Sequence, residues 1–504
     1  MSLARARGAM IAGVSGLVVS IEAYLSQGLP GLTLVGLADT AVGESRDRVR
    51  AAIQNSQLTW PSERRITVGL SPASVQKRGA MLDLAIAMAL LSASGQVPER
   101  LDVVAVGELS LDGSVNEVRG LLVAAIAARA FGATTLIVPH TQVAEAKLVP
   151  NLDVAGVATL KDAVSFFRGE PFAVPDVPPV DFTMSSPADL ADVRGQPEAR
   201  MALEIAAAGG HHLALAGSPG IGKSMLAARL PSLLPELSEE LAVEVTGIHS
   251  IAGLLKPGQG LIRTAPFLAP HHNATIASLV GGGAKQPRVG MVTLAHGGVL
   301  CLDEAAEFQR PVLDALRVPL ESGEVVVSRA EFSVRLPAKF QLVLATNPCP
   351  CGMYFDLGDQ CTCSTTVRRK YFARLSGPLL DRIDLRVALS KPTLADFDNE
   401  LTPESSAEVA ARVLSARGQA RSRLRETGWQ TNSEIPGSAL RKDFPLSPDA
   451  NRFLRQVGGG FSVRGIDRIH RLAWTIADLR QAGVPERQDL ELALHLRDSG
   501  GLWK

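Results

Sequence analysis

Apolar and polar positions divide the chain into stretches of different rhythm. Over residues 1–170, short apolar runs such as "LTLVGL", "RITVGL", "VVAVGEL" and "TLIVP" have the length and branching of strands. Between them, "DLAIAMALLSASG" and "GLLVAAIAARAFG" are long enough for helices, and each closes on a glycine suited to a left-handed cap. The alternating "LVVSIEAYL" predicts a strand near the start. Residues 171–189 lie in "GEPFAVPDVPPVDFTMSSPADL", which is proline-rich and aperiodic and predicts a linker. Residues 190–392 form a second α/β block. Residues 393–504 turn helical and arginine-rich, with "ESSAEVAARVLSARGQARSRLRE" and "IDRIHRLAWTIADLRQAG". No fixed-period repeat is present.

Composition sets limits. The 504 residues suit about three domains. Basic and acidic residues both number 51, so no global basic field announces a nucleic acid, and such a partner must be met by local patches. No apolar stretch is long enough to span a bilayer, so no membrane partner is expected. The opening "MSLARARGAMIAGVSGLVVSIEA" has arginines ahead of an apolar run, in the manner of a signal peptide. Its continuous alternation is read instead as a first strand, and the chain as cytoplasmic. Five cysteines in this length do not make a disulfide scaffold.

The most specific chemistry lies in Gly217-Ser218-Pro219-Gly220-Ile221-Gly222-Lys223-Ser224. A strand, "HLALAG", precedes it and a helix, "KSMLAARLPSLL", is expected after it. Backbone N–H groups of such a loop cradle phosphates at a helix N-terminus. Lys223 is placed to reach the β- and γ-phosphates of ATP, and Ser224 to hold Mg²⁺. In "GGVLCLDEAAEF", a buried strand delivers Asp303 and Glu304 at its carboxyl end. Asp303 would bind Mg²⁺ through water, and Glu304 would deprotonate the attacking water. A third strand, "FQLVLATN", ends on Asn347, placed to hold that water or the γ-phosphate. "RLSGPLLDRIDLRV" offers Arg382, expected to be exposed, and "GGGFSVRGIDRIHRLAWTIADL" offers Arg464 at the head of a helix.

This order of motifs resembles that of the AAA+ ATPases. The finer wording of "APHHNATIASLVGGG", "LAHGGVLCLDEAAEF", "LESGEVVVSRAEFSVRLPAKFQLVLATNPCPCG" and "SGPLLDRIDL" is similar to the magnesium-chelatase-like ATPases of the ComM/YifB family, as are "GLPGLTLVGLADTAVGESRDRVRAAI", "ITVGLSPASVQKRGAMLDLAIAMALL" and "GELSLDGSVNEVRGLL". The resemblance runs nearly the whole length. It implies an N-terminal Lon-protease-like α+β domain, a central AAA+ P-loop α/β domain and a C-terminal helical lid. It implies that Arg382 is an arginine finger acting in trans and Arg464 the sensor-2 arginine. A homo-oligomeric ring, a hexamer with ATP at its subunit boundaries, follows. The Lon nucleophile and base would fall at Gly79-Ala80-Met81 and Gly120-Leu121-Leu122, which hold neither serine nor lysine. Ser–Lys proteolysis therefore cannot run, and the domain reads as a binding or assembly module.

Further clusters carry two readings each. Cys349, Cys351, Cys361 and Cys363 could close a tetrahedral Zn²⁺ site and so stiffen the loop after Asn347, although their pairs are separated by one residue rather than the usual two to four. The alternative is four reduced thiols; Cys301 lies apart in a core strand. "GEVVVSRAEFSVRLP" predicts a hairpin with Arg329-Ala330 at its tip. Arg329, Lys285 and Arg288 could track a phosphate backbone or be ordinary solvated charges. Arg412, Arg417, Arg421, Arg423 and Arg425 form a basic stripe that could meet nucleic acid and is read instead as facing solvent or other subunits. His271 and His272, on a segment read as extended, should point opposite ways and order a loop or pore insert.

Two uses of ATP remain. One is a DNA motor driving branch migration during recombination of incoming DNA. The other is a protein-remodelling ATPase of the magnesium-chelatase type, whose partners carry a D-x-S-x-S metal motif that this chain lacks.

Overall fold

The computed structural model describes residues 2–37, 39–77, 79–173, 175, 188–283, 288–329, 332–354, 361–391 and 403–497. Two compact units emerge, Met1–Thr183 with Ala242–Ile262, and Met184–Leu241 with Arg263–Lys504. Most of the expected linker lies outside the described residues.

In the first unit, β1 (Ser2–Ala12), β2 (Ser15–Ser26), β3 (Gly31–Val35), β4 (Arg65–Ser71), β5 (Val103–Ala105), β8 (Thr135–Pro139) and β9 (Asp153–Val157) form one mixed sheet in the order β3-β4-β2-β1-β5-β8-β9. β6 (Glu108–Leu109) and β7 (Val115–Asn116) make a separate ribbon. The strands read from the apolar runs are all present. Period-two alternation puts Ile66, Val68 and Leu70 of β4 on the buried face. Helix Asp83–Ala93 is apolar nearly all round and lies buried in the core, as such a helix must. Its one acid, Asp83, is paired with Arg48 at 2.6 Å. Residues 242–262 fall in the middle block by sequence pattern, yet they pack here. Gly120 N donates to Ser250 O at 3.1 Å, and Ser250 Oγ donates to Glu145 Oε1 at 2.5 Å.

The second unit is built on five parallel strands, β10 (Leu213–Ala216), β11 (Phe267–Leu268), β12 (Val299–Leu302), β15 (Gln341–Thr346) and β16 (Leu385–Ala388), ordered β11-β12-β15-β10-β16. β10, β12 and β15 are buried along their whole length, which is why they read as unbroken apolar runs. The expected hairpin is β13 (Glu324–Arg329) with β14 (Phe332–Pro337). Helices Ser406–Leu424, Val463–Leu479 and Arg487–Arg497 share one core with the sheet, Leu472, Ile476 and Leu490 joining Leu215, Val343 and Val387. The single helix expected from "KSMLAARLPSLL" is instead two, Lys223–Ala227 and Leu230–Leu233. Pro231 has no N–H to continue the first and sits in the first turn of the second.

Candidate functional site

β10 lies between β15 and β16, while the chain leaves it for β11 at the far edge. The crevice at the carboxyl ends of strands beside such a reversal is where open parallel sheets place ligands. The loop from Gly217 to Ser224 starts there. Gly220 and Gly222 take φ of +76° and +100°, conformations that other residues resist. Lys223 curls back over the loop, its Nζ donating to Gly217 O at 2.7 Å, Ser218 O at 2.9 Å and Asn347 Oδ1 at 3.0 Å. Burial pulls its pKa below the usual lysine value, while Asp303 and Glu304 act the other way. Ser218 Oγ is buried without a partner among the described residues, a donor in a cradle rich in backbone N–H groups. Ser224 Oγ donates to Asp303 Oδ2 at 2.5 Å. Hydroxyl and carboxylate side by side, next to a phosphate cradle, form a hard-oxygen set suited to Mg²⁺. Five of the expected positions, Lys223, Ser224, Asp303, Glu304 and Asn347, thus meet at one end of the sheet.

Glu304 follows β12 with φ +51°, an uncommon left-handed backbone for a side-chain-bearing residue. Its Oε2 lies 2.9 Å from His272 Nδ1. Sequence reasoning missed this contact. β11 and β12 pair in parallel with Leu268 opposite Leu300, and counting four residues on from each arrives at His272 and Glu304. The two histidines do not point apart as expected. They sit on a turn closed by Ala274 N donating to His271 O at 2.8 Å, and their rings lie side by side, tilted by 34° with centroids 4.1 Å apart.

Arg382 and Arg464 lie elsewhere. Arg382 precedes β16, whose entry is fixed by Asp384 N and Leu385 N donating to His212 O, just ahead of β10. It therefore stands at the amino ends of strands whose carboxyl ends carry the phosphate loop, and a four-residue strand alone separates the two by about 13 Å. Arg382 is not exposed as expected. Its side chain is 8% accessible, paired with Glu321, and donates to Pro378 O. A free guanidinium beside a carboxylate is drawn into the pair when burial removes competing water. Arg464, largely exposed, lies 3.8 Å from the same Glu321. Both line an open cavity of about 1130 Å³ with Arg417, Arg468 and Trp429. Burial would raise the Asp384 carboxyl there, but Arg468 and His211 hold it well below the usual range.

Cys349, Cys351, Cys361 and Cys363 come together, their sulfurs all within 4.8 Å of one another. Cys349 Sγ is 3.3 Å from Cys351 Sγ and 3.8 Å from Cys361 Sγ. Four thiolates on a tetrahedral Zn²⁺ stand about 3.8 Å apart, so the spacing fits the ion. Hydrogen bonding from Met353 N and Cys349 pulls the Cys351 thiol down to about 6, whereas burial pushes Cys349 up to about 12.

The arginine stripe is only partly solvent-facing. Arg412 pairs with Glu204 and Glu404, Arg417 Nε donates to Ala207 O at 2.8 Å, and Arg423 pairs with Asp478 at 2.6 Å. Only Arg421 and Arg425 of the five are exposed. Arg288 is exposed, whereas Lys285, Ala330 and the Arg329 side chain fall outside the described residues. No described helix is long and apolar enough to cross a membrane.

Residues 189–397 match the family model for magnesium chelatase, subunit ChlI; residues 21–142 match that for subunit ChlI of Mg-chelatase; and residues 403–497 match the subunit ChlI C-terminal model. The chain is 47% identical to an uncharacterized protein of Mycobacterium tuberculosis over 99% of both chains. It is 40% identical to YifB of Escherichia coli over 99% of this chain and 97% of that protein. It is also 40% identical to the competence protein ComM of Haemophilus influenzae over 95% of this chain and 94% of that protein.

Proposed function

The chain belongs to the magnesium-chelatase-like AAA+ ATPase family of YifB and ComM, and from that premise we propose that it is a ring-forming motor that couples ATP hydrolysis to movement along DNA. In this reading residues 1–170 are a Lon-like module without proteolytic chemistry, 171–189 a linker, 190–392 the ATPase domain and 393–504 a helical lid. ATP supplies the cleavable phosphoanhydride and Mg²⁺ the charge neutralisation that cleavage needs. The loop from Gly217 to Gly222 offers its N–H groups to the phosphates. Lys223 exchanges its contacts with the loop carbonyls for phosphate oxygens, and Ser224 and Asp303 hold the metal. Glu304 takes the proton of the attacking water, which Asn347 helps to place.

One observation carries the assembly. Arg382 and Arg464 stand at the end of the sheet away from their own phosphate loop. In this reading they serve a nucleotide on a neighbouring copy, and the active form is a closed ring, expected as a hexamer. The DNA reading rests on the likeness to a competence protein and on the β13–β14 hairpin, whose tip with Arg329 would follow a phosphate backbone. The family model named for magnesium chelatase favours a second reading, ATP-driven remodelling of a protein partner. ATP turnover with and without forked DNA, beside a mass measurement in ATP, separates them. Stimulation by DNA and a ring mass support the motor; a DNA-indifferent ATPase favours remodelling.

The same reading gives the four cysteines a structural Zn²⁺. A closed set of four sulfur ligands leaves no open position for catalysis.

A further inference from the structure

We infer that Arg468 is a positioning residue that ties Arg382 to Arg464, so that the two arginines meant for a neighbour's nucleotide are presented as one body. The inference rests on the trans reading of those arginines above and goes beyond it.

Arg464, Arg468, Arg471, Thr475 and Asp478 recur along helix Val463–Leu479 at helical spacing and so share one stripe of it. Arg464 stands in the first turn, largely exposed, and is placed only as well as the helix beneath it. One turn on, Arg468 is largely buried. Its Nη1 donates to the main-chain oxygen of Arg382 at 3.1 Å and to Asp384 Oδ1 at 2.5 Å. A single guanidinium thus holds both the backbone that carries the first arginine and the acid just after it.

Asp384 is itself fixed from the sheet. Its N–H donates to His212 O, and its Oδ2 lies 3.2 Å from His211 Nδ1. With its proton on Nδ1, the neutral His211 ring donates to Asp384 and accepts at Nε2 from Thr475 Oγ1, 2.7 Å away. The approach is close: a Cβ added at Gly209 would stand 2.2 Å from His211 Nε2 and 2.4 Å from Thr475 Oγ1. The helix is therefore gripped at Arg468 and again at Thr475, about 10 Å further along its axis. The apolar contacts of Leu472 and Ile476 hold it on the sheet but set its rotation loosely, whereas hydrogen bonds to a buried charge are directional. A rotation that swings Arg464 must break the contact on Arg382 O. The two histidines lead straight into β10, whose other end is the phosphate loop. The body that carries both arginines is thus anchored on the strand that carries the chain's own nucleotide site.

The test uses the full-length chain. Arg468→Ala is expected to lower kcat for ATP between about tenfold and a hundredfold, while its own phosphate loop binds a fluorescent ATP analogue within about twofold of wild type. Mixing separates positioning from damage. Arg468→Ala mixed with Lys223→Ala regains interfaces in which an intact loop faces a well-placed arginine pair, so turnover should exceed the sum of the two components. Arg468→Ala mixed with Arg382→Ala regains none and should stay at the sum. Asp384→Asn keeps the shape of the acid, removes its charge and should repeat the pattern with a smaller loss, so the test does not depend on how well the alanine variant folds. Wild-type turnover in both variants, or nucleotide binding lost in both, would overturn the inference. If Arg382→Ala gains from Lys223→Ala while Arg468→Ala and Asp384→Asn do not, this inference alone falls. If Arg382→Ala gains nothing either, the trans reading falls and this inference with it.

Discussion

Arg382 is paired with Glu321 of its own chain, its side chain almost wholly buried. Glu321 also has Arg464 within reach, so one carboxylate collects the two arginines that the reading above gives to a neighbour's nucleotide. For Arg382 to act in trans it must leave Glu321 for the more highly charged triphosphate.

This arrangement predicts complementation between two inactive variants. Arg382→Ala keeps its own phosphate loop but gives its neighbour no guanidinium; it should lose about 10³-fold or more in turnover while still binding nucleotide. Lys223→Ala keeps Arg382 but cannot hold nucleotide. A mixture of the two contains interfaces with an intact loop on one side and an intact arginine on the other. Activity in the mixture, measured as ATP turnover against each variant alone, should exceed their sum. A mixture as inactive as its components would mean that the arginine does not cross between copies.

Lys223 and Glu304 should separate binding from chemistry. Lys223 Nζ is the polar hub of the loop, touching two loop carbonyls and Asn347, and its loss should abolish binding of a fluorescent nucleotide. Glu304→Gln keeps the shape of the side chain but not its basicity. It should bind ATP and turn it over at least about 10²-fold more slowly, and ATP should hold the assembly together. Normal hydrolysis in Glu304→Gln would transfer the proton-accepting role to another group.

The phosphate loop, the acid pair and Asn347 were legible in the sequence because each follows a short buried strand, and strands of one parallel sheet deliver their carboxyl ends to one place. The hairpin was legible by its alternation. What local patterns do not carry is partnership across the fold. Nothing near Arg382 in the sequence announces Glu321, 61 residues earlier. The stripe from Arg412 to Arg425 looks solvated because its acids, Glu204 and Asp478, come from other helices. The turn at His271-His272 was misread as extended because its closing hydrogen bond is a backbone one. Residues 242–262 joined the first unit through contacts with Gly120 and Glu145, which no periodicity encodes.

The cysteine cluster makes a prediction about metal content. Chain prepared without chelator should carry one zinc per polypeptide by elemental analysis, and Cys361→Ser or Cys363→Ser should lose it. The loop that holds the cluster leans on the phosphate loop: a Cβ added at Gly352 would stand 2.4 Å from Pro219 Cδ. Metal loss should therefore also weaken nucleotide binding, by about tenfold if the thiolate cage supports the loop as outer-shell partners support other sites. Zinc-free protein that binds nucleotide normally would reduce the cluster to four thiols.

The second unit should lose stability in mild acid, and His470 gives the sign. It is buried, with Nε2 2.9 Å from Phe444 O. Burial pushes its pKa down to about 4, although the carbonyl of Phe444 favours the protonated ring. In the unfolded chain a histidine titrates near 6.5. Below that pH the unfolded chain takes up a proton that the folded chain refuses, so stability falls from about pH 6.5 toward pH 4, then levels off. The loss from this one residue is about 2.5 kcal/mol at pH 4.5. His470→Gln keeps an N–H for Phe444 O and removes the titration, so the urea midpoint should shift less between pH 7 and 4.5 than in the wild type. The slope should shrink rather than vanish, because desolvated His212 is also pushed down to about 4. Equal shifts in the two proteins would show that His470 is not held neutral by its surroundings.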